Sequence, residues 1–262
     1  MAGGAAVTLS FLIAGVQKAG TTALYDHLRA HPALEAPAQK ELHFFDDEAR
    51  DWSQPDYAAL HGHFSDPARR WFEATPITLF WPGALARVRA YRPEMRLILL
   101  FRDPIARAYS QWCMESARGD ERLPFAAAIG PGRARLPPGA PRAPAWRVFS
   151  YVERGFYGAQ LDTALALFPR RQMLLLDAAG LASEPVPTLR RVTDFLGLAP
   201  LAAVADLRAN VRLPAAFPSA PDTDSVTHLR ALYRDDLALF TALSGIDVSA
   251  WPTMSGLGSS TA

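Results

Sequence analysis

The chain has 262 residues, 50% of them hydrophobic and 20% charged, which is the composition of a globular protein with enough apolar residues for a core. The 27 basic and 26 acidic residues leave a formal net charge of +1, which excludes a general electrostatic attraction to nucleic acid or to an anionic membrane. One cysteine, Cys113, excludes a disulfide framework and any metal site built from several cysteines. Any anion that the protein binds must therefore be held by a local group of residues.

Apolar runs and helical spacings alternate along the chain. Runs bounded by Gly, Pro or charged residues predict strands at residues 9–16, 95–101 and 172–176. Apolar residues at helical spacing predict helices at residues 20–29, 104–117, 151–168, 184–196 and 224–244. This alternation predicts an α/β fold, with a mostly parallel sheet covered by helices on both faces, in a single domain over residues 1–262.

Three segments are considered separately, the two ends of the chain and a proline-rich stretch. Residues 1–16 are apolar but lack the basic start of a signal peptide, and no stretch reaches the roughly 18 apolar residues of a membrane span, so we expect a cytoplasmic protein with a retained first strand. Residues 119–146 contain six Pro and four Gly, which predicts a long irregular loop. The small and polar tail at residues 252–262 is predicted to be disordered.

Lysine is rare in this chain, since only Lys18 and Lys40 stand among 27 basic residues. A lysine retained in such a sequence is either chance or a position that needs a compact ammonium rather than a planar guanidinium. Lys18 lies in the glycine-containing segment from Gly15 to Thr22, between the first predicted strand and the first predicted helix. Such a segment is either a plain glycine turn or a P-loop-type phosphate loop, in which backbone N–H groups and the helix N-terminus surround an anion. Its spacing approaches the nucleoside-triphosphate pattern G-x-x-x-x-G-K-[ST], but Thr21 stands where that pattern requires Lys.

The Lys18 segment resembles the 5′-phosphosulfate loop of the sulfotransferases that use 3′-phosphoadenosine 5′-phosphosulfate (PAPS). In that family a Lys precedes a small residue and Gly-Thr-Thr or Gly-Thr-Arg. The resemblance implies that Lys18 contacts the 5′-phosphate and the oxygen that bridges phosphorus to sulfur. It also implies that the same phosphate is bound by the four residues that follow, Ala19, Gly20, Thr21 and Thr22.

A second motif follows the predicted strand at residues 95–101. Arg102 leaves the carboxyl end of that strand, where ligands of open α/β sheets bind, and a guanidinium can hold a dianionic phosphate with two parallel hydrogen bonds. Read alone, Arg102-Asp103-Pro104 is an ordinary helix start. Together with the first loop it resembles the family's 3′-phosphate element, which has Ser eight residues after the Arg. The resemblance implies that Arg102 and Ser110 bind the 3′-phosphate.

A third motif is Lys40-Glu41-Leu42-His43-Phe44-Phe45-Asp46, which by itself is compatible with a mixed surface strand. It resembles the Lys-Glu-x-His-Phe-Phe-Asp run of the heparan sulfate glucosaminyl 3-O-sulfotransferases and their bacterial relatives. The resemblance implies that Glu41 is the catalytic base, with His43 and Asp46 as supporting polar residues and His43 as the alternative base. For Lys40, contact with the acceptor and support of Glu41 both remain open.

The resemblance extends over residues 9 to 200 in the correct order and includes a Glu-x-[Ser/Thr]-Pro segment at Glu73 to Pro76. Two features depart from the animal 3-O-enzymes. Ala19 and Thr22 replace their Gly and Arg, and the disulfide-closed basic hairpin of those enzymes has no counterpart because Cys113 is alone. The glycan specificity of the animal enzymes is therefore not carried over.

The resemblance implies transfer of a sulfuryl group from PAPS to an acceptor hydroxyl of a carbohydrate or a small natural product, with no metal ion. Four arginines in residues 119–146 either cover the acceptor cleft and favour an acidic substrate or lie in solvent. One alternative is a P-loop nucleotide kinase, against which the displaced lysine argues, and another is a non-catalytic nucleotide-binding module. The sequence defines neither the acceptor nor the oligomeric state.

Overall fold

The computed structural model describes residues 8–202 and 220–254. These residues contain a five-stranded sheet in which every neighbouring pair of strands is parallel, in the order β2-β3-β1-β4-β5. The strands are β1 (Leu9–Gly15), β2 (Leu34–Glu35), β3 (Arg70–Ala74), β4 (Arg96–Phe101) and β5 (Met173–Asp177). The α-helices are α1 (Thr21–Arg29), α2 (Ala58–His61), α3 (Ala84–Tyr91), α4 (Pro104–Arg118), α5 (Phe125–Ile129), α6 (Ala145–Val148), α7 (Tyr157–Leu167), α8 (Ala178–Ser183), α9 (Pro185–Leu196) and α10 (Thr223–Ser244).

The sheet is built around β1 and β4, whose residues are almost all apolar and buried. Near-continuous apolar strands are typical of a parallel sheet covered on both faces. The chain leaves β1 toward β3 and β2 and returns across β1 to β4, so the crossovers that contain α1 and α3 run in opposite directions and place these helices on opposite faces. The strand order therefore reverses between β1 and β4, and ligands of open α/β sheets bind at the carboxyl ends of such a pair.

The described residues group into two compact units, each assembled from separate stretches of chain. The first unit contains the whole sheet with α1, α2, α3, α8 and α9, and the second contains Gln17–Ala19, α4, α5, α6, most of α7, and α10. The sequence shows no boundary between the units, because the units alternate along the chain. Three residues of the second unit, for example, lie between β1 and α1 of the first. A single domain over residues 1–262 stays a prediction.

The α/β class and most of the predicted elements are confirmed. Asp103 caps α4 by accepting a hydrogen bond from the Ala106 N–H at 2.8 Å, with Pro104 as the first helical residue, and α9 ends at Gly197 with a positive φ of 65°. The helix predicted at residues 151–168 needs correction, since Glu153–Gly155 form a 3₁₀ turn and the α-helix starts only at Tyr157.

The segment predicted as an irregular loop at residues 119–146 also needs correction. It contains α5, a 3₁₀ turn at Pro131–Arg135 and the start of α6; Pro131 is the first residue of its turn, and Pro124 and Pro144 are the N-caps of α5 and α6. Phe125 and Ile129 are buried within it. Three of the six prolines in the segment therefore stand at the starts of short helices or turns.

The predicted disordered tail is described only at its start. Residues 252–254 lie in a turn in which Thr253 is 1% exposed and its backbone N–H donates to Asp103 Oδ2 at 2.7 Å. Residues 255–262 lie outside the described residues. In the part of the chain that is described, no helix combines the length and the apolar character required to cross a membrane.

Candidate active site

The loop after β1 has the backbone of a phosphate-binding turn. A Cβ on Gly15 would lie 2.9 Å from the Leu79 side chain, so only glycine fits where the strand ends. Lys18 has a φ of 71° and Gly20 a φ of 90°, which places both in the left-handed region. For a lysine this conformation costs on the order of 1–2 kcal/mol, and such residues cluster at functional sites. Gly20 is the N-cap of α1 and offers no side chain, so the first N–H groups of that helix have no side-chain cap.

The Lys18 ammonium lies among cations. Its Nζ is 3.5 Å from Met114 Sδ on α4, and none of the described carboxylates lies within ion-pair distance of it. Burial, and then the positive charge of Arg118, lowers the pKa of Lys18, while Glu115 raises it. A desolvated ammonium with more positive than negative neighbours favours binding of an anion.

Arg102 joins the second predicted motif to the first. Its Nη1 donates to the Lys18 carbonyl oxygen at 3.1 Å, and its own carbonyl accepts from the buried Tyr157 hydroxyl at 2.9 Å. The following residue, Asp103, is fixed by its α4 cap and by the Thr253 N–H. Ser110 lies two turns into α4 and is buried. The structure thus brings the Arg102 side chain to the backbone of Lys18.

A contact that the sequence did not indicate holds the same loop from another side. Arg154 is 3% exposed, and its guanidinium donates to Gln17 Oε1 at 2.5 Å, to Ser150 Oγ at 2.8 Å and to the Arg147 carbonyl at 2.7 Å. Gln17 directly precedes Lys18, so this buried guanidinium fixes the loop at its base.

In the first unit, the third motif forms a network around Glu41. Lys40 Nζ lies 3.2 Å from Glu41 Oε1, and His43 Nε2 lies 3.5 Å from Glu41 Oε2. The other ring nitrogen of His43 lies 2.9 Å from Oδ2 of the fully buried Asp46. Each oxygen of the Glu41 carboxylate therefore faces a basic group, and Asp46 orients the imidazole. Of the two roles left open for Lys40, this geometry supports the one of holding Glu41.

Glu73 on β3 completes this network. It is 1% exposed, and its Oε2 accepts from the Thr75 hydroxyl at 2.7 Å, while its Oε1 has no hydrogen-bond partner. Thr75 Oγ1 in turn accepts from the backbone N–H of His43 at 3.3 Å, and His43 has a positive φ of 53°. Burial raises the pKa of Glu73 to about 7, and the nearby carboxyl groups of Glu41 and Asp46 act in the same direction. The sequence motif contains Glu73 but gave it no role.

Two of the four arginines assigned to the acceptor cleft or to solvent are engaged elsewhere. Arg135 makes a two-bond ion pair with the buried Glu121, at 2.9 and 2.7 Å, and Arg133 binds Glu153 at 2.8 Å. These two guanidiniums therefore serve the packing of the second unit. Across the described ranges, no group of three or more His, Cys, Asp and Glu side chains is arranged to hold a metal ion.

Comparison with known proteins gives matches over most of the chain. The family model described as "Sulfotransferase domain" matches residues 10–211. Human heparan sulfate glucosamine 3-O-sulfotransferase 3B1 is 33% identical over 190 residues, which are 71% of this chain and 45% of that protein. Mouse heparan sulfate glucosamine 3-O-sulfotransferase 6 is 32% identical over 195 residues, 71% of this chain and 52% of that protein. The chain spans about half the length of these relatives.

A solved structure is similar over nearly the whole chain. The crystal structure of a sulfotransferase from Alicyclobacillus acidocaldarius superposes with a TM-score of 0.75 at 26% sequence identity. The match covers 94% of this chain and 99% of that protein.

Proposed function

Because the chain belongs to the sulfotransferase family, we propose that it transfers a sulfuryl group from PAPS to an acceptor hydroxyl on a carbohydrate or a small natural product. The observation that carries this proposal is the contact between Arg102 Nη1 and the Lys18 carbonyl. It joins the two segments for which the family predicts binding of the two phosphates of PAPS. A glycine turn without a ligand would not need a desolvated lysine in a left-handed conformation.

In the proposed reaction, Lys18, Ala19, Gly20, Thr21 and Thr22 bind the 5′-phosphate, and Arg102 and Ser110 bind the 3′-phosphate. The acceptor oxygen attacks sulfur, and the bond between sulfur and the bridging oxygen breaks as the new bond between oxygen and sulfur forms. The leaving group is 3′-phosphoadenosine 5′-phosphate, and the Lys18 ammonium offsets the negative charge that develops on it. One preorganised donor of this kind contributes on the order of 3 kcal/mol to lowering the barrier.

We assign the base to Glu41. Both ring nitrogens of His43 face carboxylates, Glu41 on one side and Asp46 on the other, which suits an orienting role better than proton removal from an acceptor. Glu41 has a partly exposed carboxylate, which takes the proton of the acceptor hydroxyl as the oxygen attacks. A positioned base of this kind typically contributes about 10²- to 10⁴-fold in rate.

Two measurements test the proposal. In calorimetric titrations, 3′-phosphoadenosine 5′-phosphate should bind with micromolar affinity, whereas ATP should not. With labelled PAPS and a panel of carbohydrate and small hydroxylated acceptors, label should appear on an acceptor in the wild type. Magnesium-dependent consumption of ATP would instead identify a kinase, and bisphosphate binding without transfer to any acceptor would identify a non-catalytic module.

The carbohydrate class is proposed from the relatives, whose names give heparan sulfate as their substrate. The acceptor panel should therefore include N-sulfated and unsulfated glucosaminyl oligosaccharides beside small phenols and alcohols. Transfer to phenols alone would overturn the carbohydrate assignment and leave sulfuryl transfer itself standing.

A further inference from the structure

We propose that Glu73 is a positioning residue, which holds the base segment, residues 40–46, in its active arrangement only while its own carboxyl group carries a proton. The inference rests on the proposed function in one respect, the assignment of Glu41 as the base. It adds a residue that the resemblance left without a role, and it makes the reaction depend on the proton of a buried acid.

Glu73 is connected to the base segment through the Thr75 hydroxyl. The Thr75 hydroxyl has a single proton, and it donates that proton to Glu73 Oε2 at 2.7 Å. Its oxygen can then only accept, and it accepts from the backbone N–H of His43 at 3.3 Å. One hydroxyl therefore links Glu73 to the residue whose left-handed backbone directs its ring toward Glu41 and Asp46.

The surroundings of Glu73 disfavour its ionised form. The groups that face it are the Tyr25 phenol from α1 and Glu41, His43 and Asp46 from the base segment. Two of these are carboxyl groups, and no Lys or Arg in the described residues pairs with Glu73. An ionised Glu73 would be a buried anion with one hydrogen bond, one empty acceptor position and two acidic neighbours. The raised pKa of about 7 agrees with this geometry.

Ionisation of Glu73 has a consequence for the reaction. When Glu73 loses its proton, a buried negative charge is added beside the carboxyl groups of Glu41 and Asp46. This charge competes for His43, whose ring lies between the other two carboxylates, and it disturbs the orientation of the Glu41 carboxylate. The rate of transfer should therefore fall as Glu73 ionises.

The test is the pH profile of kcat for the wild type and for Glu73→Gln, measured from about pH 6 to about pH 8.5. Glutamine has the same shape, still accepts from Thr75 and cannot ionise. We expect the variant to match the wild-type rate within about twofold near pH 6 and to keep it near pH 8.5, where the wild type has lost about tenfold or more. A folded Glu73→Gln that is inactive at every pH, or one with the wild-type alkaline decline, would overturn the proposal.

Thr75→Val is the matched variant for the connection, because it removes the hydroxyl and leaves Glu73 in place. It should lower kcat over the whole pH range, and the alkaline decline should not move to lower pH, since the hydrogen bond that it removes favours ionised Glu73. A Thr75→Val enzyme with wild-type kcat near pH 6 would show that the hydroxyl does not position the base segment.

A readout without turnover separates this inference from the proposed function. In NMR spectra, the His43 ring resonances of the wild type should show a step that coincides with ionisation of Glu73 and is missing in Glu73→Gln. If no acceptor is ever sulfated, the proposed function fails while this step still reports the coupling. An absence of the step overturns the coupling whether or not the enzyme transfers sulfate.

The pH dependence of stability, compared between the wild type and Glu73→Gln, tests the ionisation of Glu73 independently. An acid whose pKa is higher in the folded than in the unfolded chain makes the folded state retain its proton, so stability is full below the unfolded pKa of 4.5 and is lost as pH rises toward about 7. The melting temperature of the wild type should therefore fall relative to that of Glu73→Gln between about pH 5 and about pH 8. Parallel melting curves would mean that Glu73 is ionised throughout, which contradicts the proposal.

Discussion

Two buried glutamates, one in each unit, have opposite surroundings and opposite pKa shifts. Glu121 of the second unit has both oxygens bound by Arg135 and accepts two backbone N–H groups at 2.8 Å, and these hydrogen bonds lower its pKa against the effect of burial. Glu73 of the first unit has one hydroxyl partner and no cation, and its pKa is raised. A fully satisfied buried carboxylate serves packing, whereas an unsatisfied one among other carboxyl groups marks a functional position.

The largest expected effect is that of Glu41→Gln, because it removes the proposed base from the network that contains Glu73. We expect kcat for sulfuryl transfer to fall by about 10³-fold, with little change in stability, since the Glu41 side chain is partly exposed. The measurement is single-turnover transfer from labelled PAPS, with binding of 3′-phosphoadenosine 5′-phosphate as the control for an intact donor site. Near-full turnover in this variant would instead make His43 the base.

Arg135→Ala tests the other side of the comparison. It leaves Glu121 buried without a cation, and breaking a buried ion pair costs about 3–5 kcal/mol, with the lower end expected here because the Arg135 side chain is 28% exposed. Chemical denaturation measures this loss, and Arg122→Ala is the matched control, since that neighbouring side chain is exposed. Equal stabilities of the two variants would show that the Glu121 pair adds nothing to the second unit.

The difference between Glu73 and Glu121 arises from tertiary packing, and tertiary packing also limits which strands and helices the sequence predicts. The strands β1, β4 and β5 and the long helices are contiguous patterns, so apolar runs and capping residues predict them closely. By contrast, β2 has only two residues, and β3 starts at a charged residue, Arg70, and contains Glu73, which together hide the apolar run. A burial pattern created by tertiary packing is not visible in a short window of sequence.

The candidate site likewise has parts that the sequence predicts and parts that it does not. The motifs around Lys18, Arg102 and Glu41 are local, and the sequence predicts them through their resemblance to a family. The groups that position them are distant in sequence, since Gln17 and Arg154 lie 137 positions apart and His43 and Thr75 lie 32 apart. Such contacts become predictable only when the fold is known.

Lys18→Arg tests whether the donor loop needs an ammonium or only a positive charge. The guanidinium is larger and planar, and the Lys18 side chain is held beside Met114 by a left-handed backbone, so we expect a loss of about 10²-fold in kcat. Transfer from labelled PAPS measures it, and Lys18→Ala should lose at least as much. Activity of Lys18→Arg within about threefold of the wild type would mean that charge alone suffices.

The smallest effect is expected from Tyr157→Phe, a change in a buried polar group that is fully satisfied, as Glu121 is. The ring keeps its packing against Phe240 and Trp251, but the Arg102 carbonyl loses a hydrogen bond of 2.9 Å, which costs on the order of 1 kcal/mol. Tyr233→Phe is the matched control, because its buried hydroxyl donates to the Val152 carbonyl at 3.0 Å. Both variants should lose similar stability, but only Tyr157→Phe should weaken binding of 3′-phosphoadenosine 5′-phosphate, by about threefold to tenfold in calorimetry. If the two variants bind the bisphosphate equally well, the backbone of Arg102 does not depend on Tyr157 for its position, and the hydrogen bonds of the neighbouring Asp103 to the Ala106 and Thr253 N–H groups suffice to hold it.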